Sequence, residues 1–185
     1  MDREPAIAVV ELVSIARGII TTDAMCKKAP VSLEESAVIC PGKYLIIISG
    51  PVGPVEESFR RGLEVGGEAV IDRLFLPNAH TQLVPAMRAL SPVDEVGSLA
   101  VVETFAAASA ILAADASCKR AAVKLIELRL ARGMCGKGMY TMTGSLEDIE
   151  AAVEAGEQIL ESETGLLLRT EIIPRPHPDL VGKLL

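Results

Sequence analysis

The sequence predicts an α+β chain built from one unit used twice. Three observations carry this. Short segments recur in the same order: Ala8-Val9-Val10-Glu11 returns as Ala100-Val101-Val102-Glu103, and Asp23-Ala24-Met25-Cys26-Lys27 as Asp115-Ala116-Ser117-Cys118-Lys119. Gly42-Lys43 and Gly50 return as Gly136-Lys137 and Gly144, and Leu76-Pro77-Asn78-Ala79-His80 as Ile173-Pro174-Arg175-Pro176-His177, at slightly growing separations that mean short loop insertions in the second copy. Within each copy the apolar period runs strand, helix, strand, strand, helix, strand. That order is the ferredoxin-like unit, a four-stranded antiparallel sheet with helices on one face. The polar Pro/Gly-marked stretch Ser91 to Gly97 separates the copies, so we read residues 1–92 as the first domain and 93–185 as the second.

The elements follow in turn. Ala6 to Val13, rich in Val, is the first strand. Ser14 is placed to cap a helix that runs to Lys28. Its apolar stripe is Ile15, Ile19, Thr22 and Cys26, and the second copy repeats the spacing as Ala107, Ile111, Ala114 and Cys118. The stripe predicts that Cys26 and Cys118 are paired core positions. Two strands then flank a turn at Val38-Ile39-Cys40-Pro41-Gly42-Lys43, where proline presets φ and glycine accepts φ > 0. A second helix starts near Val52 and stops at Gly66-Gly67. A strand over Ile71 to Leu76 closes the unit, and a Pro/His-marked turn leads into a short helix.

Composition excludes several classes. The 185 residues carry a formal net charge of −7, which argues against a nucleic-acid partner. There is no tryptophan, and two tyrosines and three phenylalanines make a poor base-stacking platform. The start, Met1-Asp2-Arg3-Glu4-Pro5, is polar and resembles no secretory signal, and no apolar run reaches the roughly 20 residues a membrane span needs. We therefore expect a soluble, cytoplasmic protein with no membrane partner. Cys26, Cys40, Cys118 and Cys135 form no CxxC pair, so neither a zinc ribbon nor a contiguous ferredoxin-type ligand run is present. His80 and His177 have no Cys or Glu at ligand spacing. Glu11 and Glu103 belong to different copies and no nucleophile accompanies them, and Gly66-Gly67 and Gly133 to Gly136 lack phosphate-loop spacing. The expectation is not an enzyme. Taken alone, Cys40 reads as a small apolar turn residue rather than as a metal ligand, because free cysteine usually behaves as a small hydrophobe.

The tandem repeat, the Asp-Ala-Met-x-Lys helix end, the turn before a strand ending in Gly50 and the Pro-Arg-Pro-His close resemble the double-domain, trimer-forming shell proteins of bacterial microcompartments. Ile39 to Lys43 and Ile172 to His177 narrow the resemblance to those of propanediol-utilisation compartments. It implies a homotrimer, a pseudo-hexagonal tile in a cytoplasmic microcompartment shell, beside other shell proteins. It further implies a central pore lined by Ile39, Cys40, Pro41, Gly42, Met134, Cys135 and Gly136. One [4Fe–4S] cluster per trimer would sit on the three-fold axis, held by Cys40 of each chain, and electrons would pass to an encapsulated flavin- or cobalamin-linked redox enzyme. Lys27, Lys119 and Arg175 would lie at the tile edge. The alternatives are a tile with a metal-free pore for small metabolites, and a ligand-binding regulator with no shell role.

Overall fold

The computed structural model describes residues 5–93 and 95–184. The chain divides into two compact units, Met1–Ala79 and His80–Leu185. Each contains one four-stranded antiparallel sheet.

Unit 1 comprises β1 (Ala6–Leu12), α1 (Ile15–Lys28), β2 (Ser32–Ile39), β3 (Lys43–Gly50), α2 (Val52–Gly66) and β4 (Val70–Leu76), with strand order β2-β3-β1-β4. Ser14 caps α1 as its sequence position suggests, accepting the Arg17 N–H through its side chain. Gly67, at φ 52°, closes α2 and donates its N–H to Leu63 O. Alternation along the strands sends Ala8, Val10 and Leu12 of β1 and Tyr44, Ile46 and Ile48 of β3 into the core, where Met25 of α1 and Val55 of α2 meet them. Phe59 of α2 stacks on Phe75 of β4 at 5.7 Å between ring centres. Helix α1 can lie this close to β3 because position 18 is glycine: a Cβ there would fall 2.4 Å from the Tyr44 ring.

One expectation for α1 is corrected. The residues it buries are Gly18, Thr21, Thr22 and Met25, so of the expected stripe only Thr22 is buried, and Ile15, Ile19 and Cys26 face outward. Sheet packing favours the face whose Gly18 permits close approach, which leaves Ile15 and Ile19 exposed.

Unit 2 begins with α3 (Leu83–Met87) and continues through β5 (Ser98–Thr104), α4 (Ala107–Arg120), β6 (Lys124–Leu130), β7 (Gly138–Gly144), α5 (Leu146–Glu163), β8 (Leu167–Ile173) and α6 (Pro178–Leu184). Its strand order, β6-β7-β5-β8, repeats that of unit 1. The repeat extends to irregularities, since the β2/β3 register slips between Leu33 and Glu35 and the β6/β7 register between Leu125 and Glu127. Here the whole repeated stripe of α4, including Ile111 and Cys118, is buried. A polar chain crosses this core: Tyr140 of β7 lies 2.9 Å from Ser117 Oγ of α4, which donates to Ala152 O of α5 at 2.8 Å.

Candidate functional site

The β2–β3 connection has three residues, Cys40, Pro41 and Gly42. Gly42 N–H donates to Ile39 O at 2.9 Å across a cis Cys40–Pro41 peptide, the type VI turn. Cys40 is half-buried at the first central position, Pro41 and Gly42 are exposed, and Ile39 is buried at the end of its strand. The turn thus presents a backbone corner and one thiol, anchored from below by an apolar side chain.

Beside the turn lies an ion pair that sequence reasoning missed. Lys43, the first residue of β3, donates to Glu11 Oε1 at 2.7 Å, and Glu11 is almost fully buried. Asp72 stands opposite Glu11 in the β1–β4 register. Burial lifts the Asp72 pKa, while the Arg73 N–H and the Lys43 charge pull it back. Alternation places Glu11 and Lys43 on the sheet face turned away from Val10 and Tyr44, but only the β1–β3 register brings the two side by side.

The corresponding connection in unit 2 is longer, spanning residues 131–137 between β6 and β7. Ala131 N–H donates to Lys137 O at 2.8 Å, and Lys137 N–H to Met134 O at 3.1 Å. Cys135 and Gly136 occupy the centre of that inner turn at φ 53° and 88°, the type I′ pattern. Cys135 is exposed, Met134 half-buried and Gly136 buried. Cys40 and Cys135 therefore sit on turns of different length and shape, although both lie at the same end of their hairpins.

No group of three or more His, Cys, Asp or Glu side chains able to hold a metal ion exists among the described residues. One chain offers a single thiol at the first turn. The donor type fits an iron–sulfur cluster, but the number does so only if several copies converge.

Lys27 and Lys119 both lie in the last turn of their helices, each held by the aspartate four residues before it: Asp23 at 2.7 Å and Asp115 at 2.6 Å. The settings differ. Asp115 is buried and also accepts the His80 backbone N–H at 2.8 Å, whereas the Asp23 side chain is 60% exposed. Arg175 is exposed just beyond β8. The other two cysteines separate as well, Cys118 being buried and Cys26 exposed, which corrects the expectation that both are core.

The repeated α+β topology, with a turn presenting side chains at the same end of each hairpin, has a direct counterpart among known proteins. The BMC domain model matches residues 6–79 and again 98–176. The chain belongs to the BMC-domain family. It is 38% identical, over 95% of both chains, to the bacterial microcompartment shell protein PduT of Citrobacter freundii. A crystal structure of a microcompartment protein from Desulfitobacterium hafniense superposes with a TM-score of 0.91 at 40% identity, covering 96% of this chain and 98% of that one. A fused permuted hexameric shell protein from the RMM microcompartment shares the fold, with a TM-score of 0.65 at 23% identity over 85% of this chain and 84% of that one. The protein is a structural component of a bacterial microcompartment shell, similar to PduT, and not an enzyme. Among the described residues no helix is long and apolar enough to cross a membrane.

Proposed function

We propose that three copies close into a pseudo-hexagonal tile and that Cys40 of each copy converges on the three-fold axis, where the three thiolates hold one [4Fe–4S] cluster. Six BMC domains then occupy six similar places around the ring, and three chains satisfy closed cyclic symmetry. The observation that carries the reading is the placement of Cys40: a thiol at the tip of a three-residue turn, belonging to no group of three or more metal-ligating side chains among the described residues. Exposure supports the ring. Ile19 and Ile111 are each the fifth residue of their helices, yet Ile19 is 56% exposed and Ile111 is sealed, so the position that is covered on α4 stays open on α1.

When bound, the cluster supplies one-electron transfer across the shell. The chain's own part is to hold the thiols. Ile39 packs beneath the turn, and the Glu11–Lys43 pair fixes the start of β3 beside it. Pro41 and Gly42, with Met134, Cys135 and Gly136 of the second turn, form the surrounding rim. An encapsulated flavin- or cobalamin-linked redox enzyme is the electron partner in this reading. Lys27, Lys119 and Arg175 lie along the edges that meet neighbouring tiles.

The test is iron and acid-labile sulfide analysis of anaerobically purified protein, with electron paramagnetic resonance after reduction. The expected content is about one cluster per three chains, lost in Cys40→Ser while the trimer persists. Protein that stays iron-free after anaerobic reconstitution would falsify the cluster and leave a metal-free pore for small metabolites.

A further inference from the structure

Unit 2 contains a docked arm whose twin, residues 177–184, leaves its leucine exposed. The observed arm is the segment His80 to Met87. Its His80 N–H donates to Asp115 Oδ1 on α4. The Gln82 amide brackets the start of β6, donating to Val123 O and accepting from Leu125 N–H, both at 2.9 Å. Leu83 beneath it is fully buried, and so is Leu125.

The segment 177–184 repeats that arm in conformation. His177 Nδ1 accepts the Asp179 N–H at 3.2 Å, as His80 Nδ1 accepts that of Gln82 at 3.4 Å. Leu180 N–H returns to His177 O at 2.9 Å, as Leu83 N–H returns to His80 O at 3.1 Å. Leu180 is therefore the counterpart of Leu83, but it is 40% exposed.

The matching receptor exists in unit 1, equally open. Asp23 is the ninth residue of α1, as Asp115 is of α4. Both aspartates use Oδ2 for their lysine, and Asp115 gives Oδ1 to the arm. Leu33 precedes the β2/β3 register slip as Leu125 precedes the β6/β7 slip, and Leu33 is 43% exposed. Arm and receptor are each present twice; one pair is made, and the leucines of the other arm and receptor, Leu180 and Leu33, are both exposed.

We propose that the segment 177–184 of one copy docks on α1 and the start of β2 of a neighbouring copy. His177 N–H donates to Asp23 Oδ1, and Leu180 covers Leu33. Asp179 stands where Gln82 does, so its carboxylate takes the Leu33 N–H but, lacking a donor, leaves the Val31 carbonyl to water. Docking also buries Asp23 as Asp115 is buried, which brings Lys27 to the restrained state of Lys119. Ring closure thereby sets the edge lysine of unit 1. This inference rests on the ring reading above.

The test replaces Leu180 with p-benzoylphenylalanine in the full chain and irradiates it. Wild-type stoichiometry is measured separately by native mass spectrometry. The expected product is a covalent dimer whose cross-linked peptide joins position 180 to residues 31–33 of another copy. Leu33→Asp, a change at an exposed site, is expected to raise the concentration at which the assembly half-dissociates at least tenfold, with far-ultraviolet circular dichroism unchanged. A trimer whose position 180 links elsewhere, or only within its own chain, overturns the docking and leaves the ring standing. A wild-type assembly other than a trimer, with the 180-to-31–33 link between copies intact, overturns the ring and keeps the docking.

Discussion

Asp115 serves two partners at once: Oδ2 takes Lys119 Nζ at 2.6 Å and Oδ1 takes the His80 N–H at 2.8 Å. Its counterpart Asp23 holds Lys27 in the open. The two Asp–Lys pairs look alike in sequence and differ in energy, because one carboxylate is buried and bridges two segments. Asp115→Ala strips the part-buried His80 N–H of its acceptor and is expected to cost about 1–3 kcal/mol. Asp23→Ala breaks an exposed pair worth roughly 0–1 kcal/mol. Urea unfolding of the two variants checks the ranking, and equal costs would show that burial does not matter there.

The lysines themselves carry an assembly prediction. Stems of Lys27 and Lys119 laid against a neighbouring tile bury methylenes while the ammonium groups stay solvated or reach carbonyls. In the proposed tile each such contact would be weak but would repeat along every edge. Lys27→Ala combined with Lys119→Ala is expected to leave trimers intact and to reduce extended sheets in electron micrographs. Sheets as abundant as in wild type would remove the edge role.

Ser117 and Tyr140 predict an asymmetric pair of variants. Ser117 donates to Ala152 O, so the phenol must donate to Ser117. Tyr140→Phe loses one hydrogen bond and leaves the rest of the chain satisfied, a cost of about 1 kcal/mol. Ser117→Ala orphans both the phenol and the carbonyl, and about 1–3 kcal/mol is expected. The same site makes Gly156 irreplaceable. A Cβ there would stand 2.6 Å from the Tyr140 hydroxyl and 2.8 Å from Ser117 Oγ. Gly156→Ala is expected to destabilise by about 1–3 kcal/mol despite its better helix propensity. Gly53→Ala in α2, with nothing within 4 Å of its Cβ, should be neutral or stabilising. Thermal melts of the two single variants would separate propensity from crowding.

The repeat made most of the architecture legible. Strand periodicity, the Ser14 cap and the Gly66-Gly67 stop each act within a few residues, and the β1–α1–β2–β3–α2–β4 order follows from them. The face of α1 was not legible. Ile15 and Ile19 form the more apolar stripe, but Gly18 lets the adjacent face approach Tyr44, and close packing there outweighs hydrophobicity that another surface can satisfy. The Cys40 turn was visible because Pro-Gly is local chemistry. The Glu11–Lys43 pair and the Gln82 bracket were not, since each joins positions far apart in sequence whose pairing depends on register.

The four thiols should respond in a fixed pattern to an alkylating agent. Burial, with the Asp115 charge second, pushes the Cys118 pKa up to about 12. Burial and Asp23 raise that of Cys26 as well, but its side chain is exposed. Iodoacetamide at pH 8 is expected to leave Cys118 unmodified in the folded protein and to reach Cys135, which is exposed on its turn. The same shift fixes a pH dependence. Above pH 9 the unfolded chain releases the Cys118 proton, while the folded chain keeps it until about pH 12. The unfolded state then binds fewer protons, so this group's contribution to stability is full below pH 9 and falls as pH rises through that window. Cys118→Ala removes the contribution. The stability difference between wild type and Cys118→Ala, followed by urea unfolding from pH 7.5 to 10.5, should be flat at first and then shrink. A difference that stays constant to the top of that range would show that the thiol ionises as readily in the folded unit as in the unfolded chain, and that Asp115 and burial do not hold its proton.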